Sequence, residues 1–306
     1  MVDKKEEELL IDTSKMTQGE REALEVSEDA RFVGVDQPSF VEELFKGNFR
    51  PDLITPYPEQ NAEDKKIGDE FLARLSNYLK ENVDPEKIDA EQKISEDVIN
   101  GLKKLGVFGL KIEKKYGGLE FSQVNYNRVI QLIASHCGST AVLVSAHQSI
   151  GVPTPLKYHG SEEQKKKFLP MIAQGAISAF ALTEPGVGSD PAQMKTIATK
   201  STDGKTYSIS GEKLWITNGP IADLIVVMAQ TAPKIVHGKE RKQISAFIVE
   251  TKSPGFLVKH HCQFMGIRGI SNGLLAFENV VVPAENLIWE EGKGLKLALE
   301  TLNSGR

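Results

Sequence analysis

The sequence predicts an α+β protein: an N-terminal α-helical domain, then a middle β domain of barrel or sandwich type, then the start of a further helix. Three observations carry this. Apolar residues recur with a helical period from about 63 to 176, the period drops to two at about 177, and the helical period returns at Gly294. The expected division is a charged tail over 1–38, a helical domain over 39–176, a β domain over 177–290 and the opening of a C-terminal helical domain over 291–306.

A chain of 306 residues is long enough for about two domains. Hydrophobic residues make up 40% and charged residues 26%, so a sizeable core can be buried. The formal net charge of -5 and a pI near 5.8 argue against a nucleic-acid partner. Cys137 and Cys262 stand far apart without a partner motif, which excludes a disulfide framework or a zinc site and fits a reducing compartment. The acidic start lacks the basic and apolar regions of a signal peptide, and no apolar run reaches the roughly 18 residues of a membrane span. A cytoplasmic location is expected, or the mitochondrial matrix for a processed eukaryotic chain.

The tail is rich in Glu, Lys and Asp and reads as partly disordered or loosely docked. The proline-rich stretch from Phe49 to Pro58 reads as an extended connector. Ile67, Phe71, Leu75 and Leu79, with Leu72 beside them, form the apolar face of a first helix that ends at Asp84-Pro85. Ser95 caps a second helix with Val98, Ile99, Leu102 and Leu105 inward, and Gly106 stops it. Gly117-Gly118 turns the chain into a third helix from Ser122, and 139–151 is a fourth, dense in Ala, Val and Ser. Ser161 and Gln164 form a capping box at the head of another helix, interrupted by Pro170 and closed by Gly175.

Ile177 to Leu182 reads as a buried strand. Lys195 to Lys200 alternates, and Asp203-Gly204 is a hairpin signal before Tyr207 to Ser210. Further strands are expected at Leu224 to Ala229, Ile244 to Val249, Phe256 to Lys259 and Leu274 to Val282, six to eight in all. The last helix carries Leu295, Leu297, Leu299 and Leu302 with nothing after it to bury them, which suggests a truncated chain or a split gene. The plainer alternative is a short helix docked on the sheet.

Two runs carry candidate chemistry. Phe180 to Asp190, with the core TEPGVGSD, leaves a strand and turns at Pro185-Gly186. Its glycines let main chain approach a ligand, and its N–H groups and hydroxyls suit anionic or carbonyl oxygens. Taken alone it is a Gly-rich turn; it is neither a phosphate loop nor a dinucleotide fingerprint. The second run is Gly211 to Gly219, GEKLWITNG. Strand alternation puts Trp215 and Thr217 on one face, an aromatic plane beside a hydroxyl able to cover a flat heterocycle. Taken alone, Trp215 reads more simply as a core residue. His147, amid Ser and Ala on a helix, reads as packed and hydrogen-bonded rather than catalytic.

Together the two runs resemble the signature segments of the acyl-CoA dehydrogenase family. The resemblance extends from about Phe45 onward, through Gly101 to Leu110, Tyr116-Gly117-Gly118, Met265 to Arg268, Phe277 to Pro283 and Glu285 to Leu287. The segment from Phe45 to Pro58, the run Ala146 to Gly151 and the ending Leu302 to Arg306 are similar to its very-long-chain branch. The family architecture is an N-terminal helical domain, a middle β domain and a C-terminal helical bundle. The bundle is expected to be missing here.

The resemblance implies FAD as cofactor and a fatty acyl-CoA as substrate, desaturated to a trans-2-enoyl-CoA. Phe180, Leu182 and Thr183 would line the flavin ring, with Thr183 on its pyrimidine edge. Ser189 would sit where flavin and CoA meet. Trp215 would cover a ring face, Ile216 would lie beside it, and Thr217 would bond near the flavin N5. Asn303 and Arg306 match substrate-side positions, and no metal is implied. No catalytic residue is expected in this chain: the family's Glu lies beyond Arg306, and Gly305 stands where the long-chain and isovaleryl branches carry an alternative Glu. Glu184 is expected to serve the turn by hydrogen bonding. An electron-transfer flavoprotein would accept the electrons, and a homodimer is expected of the full-length form. The alternatives are an acyl-CoA oxidase, which reduces oxygen, and a non-catalytic flavin-binding or assembly paralogue.

Overall fold

The computed structural model describes residues 38–305 other than Pro58 and 237–238, preceded by Met16, Arg21 and Leu24. The expectation for the charged tail, and Arg306, lie outside the described residues. The chain opens with α1 (Phe40–Phe45) and a connector of one 3-10 turn at Pro51–Leu53. Then come α2 (Ala62–Asn82), α3 (Pro85–Glu91), α4 (Glu96–Lys104), α5 (Gln123–His136), α6 (Gly138–Ser149), α7 (Pro153–His159) and α8 (Glu162–Ala173).

Caps fix these boundaries. Ser95, Ser122 and Ser161 each accept a backbone N–H of the first turn, and Gln164 returns the bond to Ser161 as the sequence predicts. Phe71, Leu75 and Leu79 of α2 are buried with Val98, Ile99 and Leu102 of α4 and Val129 and Ile133 of α5. Ile67 departs from the expected face and is 43% exposed. Gly68 takes the inward position instead, because a Cβ there would fall 2.0 Å from Asn125 Oδ1. That close approach lets Asn125 Nδ2 donate to the Asp64 carbonyl at 2.7 Å.

Three helical expectations change. Asp84-Pro85 opens α3 rather than merely ending α2, with Asp84 accepting from the Lys87 N–H. Helix α7 is not expected from the sequence; at under two turns it shows no period to read. Pro170 lies inside α8 without ending it. It falls in the last turn, where a proline costs one backbone bond while Phe168, Leu169 and Ile172 hold the helix on the core.

Among the described residues the β region has eight strands: β1 (Ser178–Ala181), β2 (Ile197–Lys200), β3 (Thr206–Thr217), β4 (Leu224–Val236), β5 (Lys239–Glu250), β6 (Phe256–His261), β7 (Asn272–Pro283) and β8 (Leu287–Ile288). They form one sheet in the order β6-β7-β3-β2-β4-β5-β8, with β1 parallel on β4. Alternation explains how the sheet makes two cores. Ile225, Val227 and Ala229 of β4 and Phe247 and Val249 of β5 pack with Tyr207, Ile209, Leu275 and Phe277 of β3 and β7, so the sheet curls onto itself. Leu224, Val226 and Met228, with Ala246 and Ile248, face the opposite way onto Leu156 of α7 and Phe168 and Ile172 of α8. A strand buried on both faces reads as the unbroken apolar run Leu224 to Ala229.

The last helix, α9 (Gly294–Gly305), packs against β5, β4, α7 and α6. Leu297 and Ala298 are fully buried there, whereas Leu295, Leu299 and Leu302 are half-buried, so the helix docks on the sheet and leaves part of its apolar face uncovered. Among the described residues no helix is long and apolar enough to cross a membrane.

Candidate functional site

Strand β1 joins the helical layer to the sheet. At its root, His147 of α6 is fully buried. Its Nδ1 accepts the Ser178 N–H at 2.9 Å and its Nε2 donates to the Phe108 carbonyl at 2.9 Å, which fixes the neutral tautomer. Burial pushes its pKa down to about 4, against the Phe108 bond that raises it. His147 is therefore a packed, bonded residue, as read from the sequence.

Past Ala181 the chain leaves the sheet edge through the TEPGVGSD run. Glu184 and Val187 exchange backbone bonds that close the turn, and Gly186 takes φ +81°. Pro185, Gly186, Gly188 and Ser189 are exposed, and no atom lies within 4 Å of a Cβ built on either glycine, so the main chain there is open to a ligand. Glu184 turns inward and is buried. Its Oε1 accepts from Lys213 Nζ at 2.8 Å, from the Thr196 N–H at 3.0 Å and from Thr196 Oγ1 at 2.6 Å.

Lys213 sits in the GEKLWITNG run on β3 and is wholly buried. Its ammonium also donates to the Leu182 carbonyl at 3.1 Å, and the Leu214 N–H donates to the Thr183 carbonyl at 2.9 Å. The two runs are thus one physical unit. Burial drives the Lys213 pKa down to about 8 while Glu184 raises it. Burial also works to raise the Glu184 carboxyl, but Lys213 and Thr196 outweigh it and hold it below the usual range. Near neutrality both groups are charged.

Beyond Lys213, strand β3 bulges. Lys213 pairs with Leu275 and Ile216 with Gly273, so β3 carries one extra residue. Trp215 occupies the bulge at φ +61° and is 54% exposed, tilted against Phe264 with ring centroids 5.8 Å apart. The reading of Trp215 as a core residue fails, because the bulge re-aims its side chain out of the sheet. Ile216 is buried in the sheet core and Thr217 is half-buried. Asn272 Nδ2 donates to Thr217 Oγ1 at 3.0 Å, so that hydroxyl's own proton is free to point elsewhere. Around this end, Asn272 Oδ1, Asn218 Oδ1 and Thr140 Oγ1 are buried without a hydrogen-bond partner among the described residues. Asn218 Nδ2 donates to the Leu143 carbonyl at 2.9 Å, which places it against the same turn of α6 as Thr140.

Of the residues named from the sequence, Leu182, Thr183, Trp215, Ile216 and Thr217 are brought together by these bonds. Phe180 is buried in the core that faces the helices, against which Leu182 packs. Ser189 is exposed on the turn. Asn303 is exposed on α9, whose neighbours are β5, β4, α7 and α6. Sequence reasoning missed Lys213 and Asn272. A lysine between Glu212 and Leu214 in an alternating strand looks solvated, and only the carboxylate waiting in the other run distinguishes it.

The open glycine turn is thus locked to a bulged strand that presents an aromatic plane and a hydroxyl. Profiles of the acyl-CoA dehydrogenase N-terminal and middle domains match residues 68–176 and 179–280. The chain belongs to the acyl-CoA dehydrogenase family, of which it carries those two domains. It is 50% identical, over 94% of its length and 44% of the relative's, to the probable acyl-CoA dehydrogenase FadE10 of Mycobacterium tuberculosis. It is 38% identical, over 89% of its length and 42% of the relative's, to the mitochondrial very long-chain specific acyl-CoA dehydrogenase of Rattus norvegicus. The chain thus spans less than half the length of these relatives. The structure of an acyl-CoA dehydrogenase complexed with FAD from Bacillus anthracis superposes with a TM-score of 0.69 at 33% identity, covering 81% of this chain and 41% of that one.

Proposed function

We propose that the chain holds FAD against the joined TEPGVGSD and GEKLWITNG runs and serves the α,β-dehydrogenation of long-chain fatty acyl-CoA to trans-2-enoyl-CoA. The observation that carries the reading is the lock between the runs: Lys213 on Glu184 and Leu182, and Leu214 on Thr183. The fit to a flavin rests on the donor set. Trp215 offers a ring face, Thr217 a hydroxyl proton oriented by Asn272, and Thr183 a half-buried hydroxyl. Gly186 and Gly188 leave main chain open to the cofactor's anionic part, with Ser189 beside them. Phe180 would line the ring with Leu182, from the helix-facing core, and Ile216 would lie beside Trp215, its side chain in the other core. When bound, the flavin supplies hydride-accepting redox chemistry; the protein positions it and excludes water.

In this reading no carboxylate of residues 1–306 takes the α-proton. Glu184 is committed to Lys213 and Thr196, and Gly305 offers no carboxylate. By the family resemblance the base would be a Glu outside these residues, Asn303 and Arg306 would lie on the substrate side, and an electron-transfer flavoprotein would take the electrons from a homodimer.

The test is the visible spectrum of the FAD-reconstituted chain, recorded anaerobically before and after palmitoyl-CoA. The expected result is a flavin band that shifts on adding the thioester and does not bleach. Bleaching would place a base within the chain and overturn that part of the reading. Absence of any flavin band would overturn the cofactor assignment.

A further inference from the structure

The buried pair Lys213–Glu184 has more to do than neutralise itself. Lys213 has three acceptors around its ammonium: Glu184 Oε1 at 2.8 Å, the Leu182 carbonyl at 3.1 Å and Met194 Sδ at 4.0 Å. Two belong to the first run, and the third lies just before β2. Met194 is itself fixed, because Gln230 Nε2 of β4 donates to its carbonyl. Glu184 in turn gathers the Lys195 and Thr196 N–H groups. One ammonium therefore ties the exit of β1, the approach to β2 and the last paired residue of β3 before the bulge. The bulge begins at the next residue, and Trp215 is two residues from the ammonium's own Cα. Well-packed apolar residues would make a core of the same shape at lower cost, since two charges must be desolvated here. What apolar contacts lack is direction: only a charged donor with a fixed carboxylate sets the height of the Leu182 carbonyl against the bulge.

We propose that Lys213 is a positioning residue for the flavin-facing surface: locked to Glu184, it sets the Leu182–Thr183 main chain against the Trp215 bulge. The inference deepens the flavin reading and rests on it for its functional meaning. The charged group facing Lys213 is Glu184; the others against it are Leu182, Met194 and Thr196, none of which titrates near neutrality.

The test uses the full chain in a Trp289→Phe background, leaving Trp215 as its one tryptophan. Lys213→Met and the double variant Lys213→Met/Glu184→Gln are compared by melting temperature, by acrylamide quenching of Trp215 emission and by FAD titration. The single variant is expected to melt far below the parent. The double variant, free of unpaired charge, is expected to recover most of the melting temperature. Its Trp215 quenching constant should still differ at least twofold from the parent's, and its FAD affinity should be at least tenfold weaker. A double variant that melts, quenches and binds FAD like the parent would overturn the proposal and leave the pair a packing feature. If the parent itself binds no FAD, the flavin reading fails, while the quenching constant still decides the role of Lys213. If the double variant does not fold, the parent decides it. Trp215 emission should change on raising the pH through the deprotonation of Lys213 near 8, and a flat profile from pH 7 to 10 would contradict the proposal.

Discussion

The helical layer and the open end of the sheet treat buried polarity in opposite ways. In the helical layer, Asn125 bonds Asp64, Ser161 and Gln164 cap each other, and both nitrogens of His147 have partners. At the open end, Asn218 Oδ1 and Asn272 Oδ1 have none among the described residues, nor has Thr140 Oγ1 on the turn of α6 that faces them, while Trp215 stands exposed at a positive φ and a charged pair is buried underneath. Buried polar groups without partners are costly, and each calls for a specific explanation such as a bound water, an ion or a ligand. The contrast separates residues that build the protein from residues that wait for something.

Substitutions probe that contrast in descending order of effect. Lys213→Met alone leaves Glu184 buried without its cation and should cost about 3–5 kcal/mol by chemical denaturation. His147 tests the satisfied side through pH. Its pKa falls from 6.5 to about 4 on folding, so the unfolded chain binds more protons between those values. Its contribution is complete above pH 6.5 and is lost as the pH falls toward 4, about 3 kcal/mol in all. His147→Leu should flatten that part of the stability-against-pH curve, at the expense of stability at pH 7 because the Ser178 N–H loses its acceptor, while the Phe108 carbonyl still accepts from Gln148 Nε2. Ser161→Ala opens the capping box and should cost about 1 kcal/mol. Trp215→Phe, on the waiting side, should move stability by less than about 0.5 kcal/mol while changing the spectrum of added flavin. A large loss of stability there would break the comparison.

The helical layer was the more legible half. Caps and 3.6-residue spacing act between near neighbours, so Ser95, Ser122 and Ser161 announce their helices in the sequence. The exceptions are instructive. Helices α3 and α7 are too short to show a period, and Gly68 displaced Ile67 because of a contact with Asn125 far along the chain. In the sheet, the apolar run of β4 was legible because both its faces are buried. The site was legible as two runs, but not as one object. The bulge that turns Trp215 outward depends on the register of β3 with β7, and the burial of Lys213 depends on a carboxylate supplied by another segment. Such facts belong to pairs of distant segments, and local spacing does not hold them. The docking of α9 stood in the sequence only as an alternative for the same reason: Leu297 and Ala298 are covered by strands that precede them by some fifty residues or more.

The most direct test of the claim that the two runs form one flavin surface is a titration of FAD into the Trp289→Phe chain, following Trp215 emission. The account predicts saturable quenching at stoichiometric FAD, together with a structured visible band, and loss of the quenching signal when Trp215 is also replaced by Phe. FAD that binds with its visible band structured but leaves Trp215 emission unchanged would contradict it.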